Sequence, residues 1–137
     1  MASARTPIVA LVLAVGMTLF IVVAVLLPVN FMSTLLDPLN AMLYSAFPGS
    51  QVSAGKLGHT VAFFLLTWCA VRVSGYSTLR LITFLGLILL FAFFTEVSQL
   101  LVEGRNPKFR DIVFDLIGVL AALLVFYFPR FLVLRST

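Results

Sequence analysis

Acidic side chains are scarce in this 137-residue chain: five in all, against nine lysines and arginines. Charged residues of both signs make up 10% of it, while 62% are hydrophobic. A soluble domain carries roughly 25% charged residues and no more than about half apolar ones. That contrast excludes a water-soluble globular fold and indicates an integral membrane protein. Cysteine occurs once, as Cys69 inside an apolar run, so no internal disulfide can staple the fold. Cys69 reads as a small packing residue. Histidine also occurs once, as His59. A single histidine argues against zinc, which usually takes several histidine and cysteine ligands; no metal and no cofactor is expected. The basic residues are scattered at the ends of apolar runs with no long basic stretch, which argues against a nucleic-acid partner. The length suits a single domain over residues 1–137.

What the chain has is apolar length. A helix needs about 20 apolar residues to cross a bilayer. Residues 7–28 form such a run. It is longer than the apolar part of a signal peptide and ends at Pro28 rather than at a small-residue cleavage site, so it reads as an uncleaved first span. Further spans fall at about 56–73, 80–102 and 111–128, with Phe128, Phe131 and Leu132 extending the last around Pro129. The fold class is therefore all-α: a polytopic membrane protein built as a four-transmembrane-helix bundle. Between the first two spans, Asp37-Pro38, Pro48-Gly49-Ser50 and Ser53-Ala54-Gly55 read as turn signals. Leu39, Met42, Leu43 and Phe47 recur at helical spacing among them. A short amphipathic interfacial helix fits this pattern, and so does a covered loop.

Four spans put both termini on one side. That side would carry Arg5, Arg72, Arg80, Arg130 and Arg135; the other would carry Lys56, Arg105, Lys108 and Arg110. Cytoplasmic loops are enriched in basic residues. On this count both termini are expected in the cytoplasm, with the protein in the cell (inner or cytoplasmic) membrane and the 96–115 region toward its outer face. Trp68 and Tyr76 flank one end of the second span, where aromatic residues anchor at the interface. Gly16 and Gly86 in mid-span, and Gly58 and Gly118 beside polar positions, are expected to let helices approach.

The stretch from Glu96 to Gly118 holds four of the five acidic residues. The topology brings it level with Lys56 and His59. Lys56 and His59 are three apart, Glu96 and Gln99 three apart, and Asp111 and Asp115 four apart. Residues at these spacings share a helix face. Each of three helices thus presents one polar stripe, and the least costly arrangement turns all three inward.

Several chemistries fit this set. An ion-pair and hydrogen-bond network could simply fix how three helices pack. Against that reading, a charge well inside the membrane costs on the order of 2.5–3.5 kcal/mol, while an interhelical hydrogen bond returns only about 0.6 kcal/mol. Lys56, His59, Glu96, Gln99, Arg105, Asp111 and Asp115 are then candidates for binding an anionic headgroup. Arg105 and Lys56 would meet the anion, with Arg110 as a helper, because guanidinium forks suit phosphate and carboxylate. Glu96 and His59 are alternatively candidates for general acid–base catalysis. Ser98 has no histidine beside it in sequence, so a serine nucleophile is not indicated.

Lys56-Leu57-Gly58-His59 followed by Phe63, Glu96-Val97-Ser98-Gln99, and Gly104-Arg105 with Asp111, Asp115 and Gly118 together resemble the VanZ-like family of small integral membrane proteins. The resemblance covers roughly residues 55–125. Gly55 stands where that family usually has an acidic residue, and Asp115 where it usually has asparagine. The resemblance implies a compact helical membrane protein of the cell envelope. The family's namesake is associated with resistance to the glycopeptide antibiotic teicoplanin, which acts outside the cell on lipid-linked cell-wall precursors. An anionic envelope lipid or a lipid-linked precursor of the cell wall or surface glycan is therefore the expected partner. An enzyme acting on such a lipid, and a small accessory subunit with a protein partner, remain open beside a lipid-binding protein.

Overall fold

The structure, a computed structural model, describes residues 5–49, 52–75, 77–102, 104 and 109–135, and their side chains apart from those of 5–7, 109 and 129–135. Five helices follow in order: α1 (Arg5–Leu26), α2 (Val29–Ala46), α3 (Ala54–Ser74), α4 (Thr78–Gln99) and α5 (Phe109–Arg135). No strand occurs among the described residues. Four helices are long and apolar enough to span a bilayer, over Ile8–Leu26, Ala54–Ser74, Thr78–Gln99 and Arg110–Phe128. This is the four-helix membrane bundle that the apolar runs predict. α5 continues through Pro129 to Arg135, and its 27 residues make a rod of about 40 Å at 1.5 Å per residue.

α3 is the central helix. It packs most extensively on α5, then on α1, then on α4. The core lies where these meet, in Ile21 and Val25 of α1, Phe63, Leu66 and Ala70 of α3, Ile88 and Ala92 of α4, and Val119 of α5. Elsewhere the large apolar side chains point outward, including Ile8, Leu19, Phe20, Ile82, Leu89 and Leu124. A bundle in water would not tolerate that surface; hydrocarbon solvates it. An apolar cleft of about 360 Å³ between α1 and α4, backed by α3, is lined by residues such as Leu11, Ala14, Val73, Phe84 and Phe91. It lies away from the polar pairs.

α2 settles the alternative between helix and loop. It is a helix of 18 residues with none fully buried, longer than the short segment expected. At 100° per residue it divides three ways. Val29, Met32, Leu36 and Leu43 are half-buried toward the bundle; Phe31, Leu35, Leu39 and Met42 form an exposed apolar stripe; Ser33, Asp37 and Tyr44 form an exposed polar one. Those three environments are what an interfacial helix meets: protein, lipid tails and water. Asp37-Pro38 is accordingly no turn. Pro38 lies inside the helix on an exposed side, where the Thr34 carbonyl that lacks an N–H partner can be met by water. Ser53-Ala54-Gly55 is likewise the start of α3, with Ser53 as its N-cap accepting from the Lys56 N–H at 3.4 Å.

The side chain of Asn40 ties α2 to that start: its Oδ1 accepts from the Ala54 N–H at 2.8 Å. The first N–H groups of a helix have no partner within it, so Asn40 supplies one across 14 residues of sequence. Asn40→Ala is expected to cost about 1 kcal/mol, the usual cost of a lost N-terminal cap. Hydrogen exchange at Ala54 would read it, rising in the variant while mid-α3 amides stay protected. At the other end of α2, Val29 lies beside Gly104, so α2 crosses the face on which α3 begins and α4 ends.

Three glycine expectations do not hold. A side chain added at Gly16, Gly58 or Gly86 meets nothing within 4 Å; these face outward and mediate no close helix contact. Gly118 behaves as expected. A β-carbon there would collide with the Thr60 carbonyl and sit 2.9 Å from the Phe64 nitrogen. Tyr76, read as an interfacial anchor, lies outside the described residues.

Candidate functional site

The buried stripe of each central helix changes from apolar to polar as it nears one membrane face. On α4 the stripe runs Ile88, Ala92, Thr95, Glu96, Gln99, all buried. On α5 it runs upward from Ala122 through Gly118 to Asp115, with Asp111 half-buried beyond. On α3 the buried Phe63 gives way to Thr60, His59 and Lys56, which are half-buried. The spacing of three and four keeps each series on one face. Because α3 and α5 start, and α4 ends, at that face, the polar ends converge.

His59 and Asp115 are joined directly. His59 Nδ1 lies 2.9 Å from Asp115 Oδ1. An ionised carboxylate only accepts, so Nδ1 carries the hydrogen and donates it. Nε2 is thereby left outside that bond. Asp115 is 1% exposed and the His59 side chain 20%, so the carboxylate anchors the ring from below while one ring edge stays accessible. Asp115 Oδ2 is buried and accepts no hydrogen bond among the described residues. Glu96 (4% exposed) and Gln99 (5%) approach from α4, and both Glu96 and Asp111 lie within electrostatic reach of the imidazole. The Lys56 ammonium stands 5.3 Å from the centre of the Phe114 ring, a cation–π contact.

Gly118 permits this closeness. With no side chain there, the α5 backbone lies against that of α3, and Thr60 Oγ1 comes within 3.1 Å of the Lys56 carbonyl and 3.2 Å of the Phe114 carbonyl. Its hydroxyl hydrogen is shared between its own helix and α5, one residue along each helix from the His59–Asp115 pair.

The structure therefore brings Glu96, Asp111 and Asp115 to His59, with Gln99 buried one turn from Glu96 on α4 and Lys56 beside Phe114, the neighbour of Asp115. Arg105, the expected anion contact, lies outside the described residues, as do Glu103 and Lys108. Arg110 is exposed at the start of α5. Sequence reasoning missed Thr60, Thr95 and Asn40. Thr60 stands four residues after Lys56, which was a usable signal. Thr95 is 3% exposed and directs its hydroxyl to the Ala92 carbonyl at 2.7 Å, so it is satisfied on its own helix. Among the described residues no three histidine, cysteine, aspartate or glutamate side chains are grouped to hold a metal ion.

Four helices long and apolar enough to cross a membrane, with a fifth helix between the first two and polar side chains gathered where three of the spans reach one face, define a multi-pass membrane protein with a buried polar cluster among its described residues. The VanZ/LLP1 family matches the chain over residues 8–133, and the chain belongs to that family. No curated protein and no solved structure matches it.

Proposed function

We propose that the pocket receives the anionic headgroup of an envelope lipid or of a lipid-linked precursor of the cell wall or surface glycan. The observation that carries this reading is the convergence of Lys56, His59, Glu96, Gln99 and Asp115 from three helices at the depth where lipid headgroups begin. Lys56 and Arg105 meet the anion, and basic groups between helices are a common setting for lipid headgroups. Asp115 holds His59 with Nε2 toward the ligand, while Glu96 accepts from its hydroxyl groups and Gln99 accepts from or donates to them. In this reading the termini face the cytoplasm of a cell membrane and the pocket faces outward. A protein that engages lipid-linked precursors there would oppose a glycopeptide that acts on them, in line with teicoplanin resistance.

Native mass spectrometry of the gently solubilised protein tests this. Wild type is expected to retain one anionic or polyprenyl lipid, and Arg105→Ala to lose it by tenfold or more while still folding. Equal retention in both would reject the assignment.

The His59–Asp115 hydrogen bond also favours a second reading, an enzyme that acts on the bound lipid. An imidazole whose Nδ1 is fixed by a buried carboxylate is arranged to exchange a proton at Nε2, with Glu96 as the second proton carrier. Loss of turnover in Glu96→Gln with lipid retention unchanged would select it.

A further inference from the structure

All five acidic side chains of the chain, Asp37, Glu96, Glu103, Asp111 and Asp115, fall in α2, at the end of α4, in the α4–α5 connection or at the start of α5. These segments belong to the face that carries the pocket. The opposite face comprises the start of α1, the α3–α4 turn and the end of α5. Its basic residues are Arg5, Arg72, Arg80, Arg130 and Arg135, and it has no acidic side chain. Every one of its cations is an arginine; both lysines of the chain, Lys56 and Lys108, belong to the pocket face. The sequence of these segments supplies no acidic side chain to neutralise these arginines, so anionic groups of the surroundings are suited to do so.

One of these arginines is held in a defined pose. Arg72, exposed in the last turn of α3, has its Cζ 4.9 Å from the centre of the Trp68 ring and 5.8 Å from that of Phe126. The two rings meet edge to face, with centres 5.9 Å apart and an interplanar angle of 83°. The platform is thus built from two helices, α3 and α5. A cation at the end of α3 also complements the helix dipole, but a freely moving side chain would do that equally well. The two aromatic contacts do something else: they restrict where the guanidinium can lie, and its N–H groups make a planar fork. A fork of that kind pairs with phosphate oxygens in bidentate fashion.

We propose that this face is a docking surface for anionic phospholipid, with the Arg72 guanidinium, held by Trp68 and Phe126, taking the lipid phosphate. The partner follows from place and charge. α3 spans the bilayer, so its last turn reaches the headgroup layer, where the phosphates of anionic lipids supply the negative charge that the chain itself lacks there. The site is independent of the pocket at the other face and does not rest on the function proposed for it.

Trp68 is the only tryptophan of the chain and stands beside the site, so its fluorescence reports on it. The full-length protein is reconstituted in phosphatidylcholine vesicles containing increasing fractions of phosphatidylglycerol. Trp68 emission is expected to shift with a half-effect at about fivefold less phosphatidylglycerol in wild type than in Arg72→Ala, the equivalent of roughly 1 kcal/mol per basic contact. Arg72→Lys keeps the charge, and with it membrane insertion, but loses the planar fork; its midpoint is expected between the two. A common midpoint for wild type, Arg72→Lys and Arg72→Ala would overturn the proposal. So would a shift of the same size produced by inorganic phosphate in pure phosphatidylcholine vesicles.

Discussion

Replacing Gly118 with alanine is expected to do more damage than any other single-methyl change in this chain. The new β-carbon would run into the Thr60 carbonyl and lie 2.9 Å from the Phe64 nitrogen. Both obstacles are backbone, so no rotamer change relieves them, and α3 and α5 must separate. These two helices form the most extensive packing in the molecule. Overpacking a core costs typically about 1–3 kcal/mol, and a clash against backbone belongs at or beyond the upper end. The separation would also break the Thr60–Phe114 contact at 3.2 Å and pull Asp115 from His59, since Asp115 lies one turn away on the same face. Thermal unfolding in detergent reads the effect directly. Gly16→Ala, Gly58→Ala and Gly86→Ala are the controls: nothing lies within 4 Å of their added carbons, and alanine is the better helix former by about 1 kcal/mol. They are expected to unfold at or above the wild-type temperature. A Gly118→Ala protein as stable as these three would show that α3 and α5 do not meet as described.

The second large effect is at Asp115. Asp115→Ala leaves the His59 Nδ1–H facing a buried void, and a buried donor without an acceptor costs about 1–3 kcal/mol. The ring is then free to turn, so lipid retention is expected to fall together with stability. Asp115→Asn separates shape from charge. Its amide oxygen can still accept from Nδ1–H, and asparagine is the residue that the VanZ-like pattern usually carries there. Asp115→Asn is therefore expected to unfold within about 1 kcal/mol of wild type, inside the range of one ordinary hydrogen bond. Unfolding curves and lipid retention measured together check both variants. Wild-type stability in Asp115→Ala would mean that the His59–Asp115 bond does not organise the pocket.

The sequence made the spans legible because crossing a bilayer demands length and apolarity, and both are properties of a run of residues. It also placed the polar pairs at one level, because alternation of spans fixes which ends meet. It could not say how far each helix is rotated about its axis. Gly118 and Gly86 both interrupt apolar runs, yet one lies against a neighbouring backbone and the other faces outward. For the same reason His59 and Asp115 could be set at one depth while their bond could not be read, since Glu96 and Asp111 were equally available partners by spacing. Asp37-Pro38 misled because a proline that ends a buried helix is tolerated on the exposed side of an interfacial one. The cap from Asn40 to Ala54 depends on how α2 folds back, which no local pattern encodes.

His59 is the only histidine in the chain, so the nitrogen NMR spectrum of its imidazole, recorded on the protein in lipid bilayers, gives one residue's signals without assignment by mutation. The account predicts that Nδ1 carries a slowly exchanging hydrogen and that Nε2 shifts when the bound anionic or polyprenyl lipid is restored to delipidated wild type, but not in Arg105→Ala. A hydrogen fixed on Nε2, or ring signals indifferent to lipid in wild type, would contradict it.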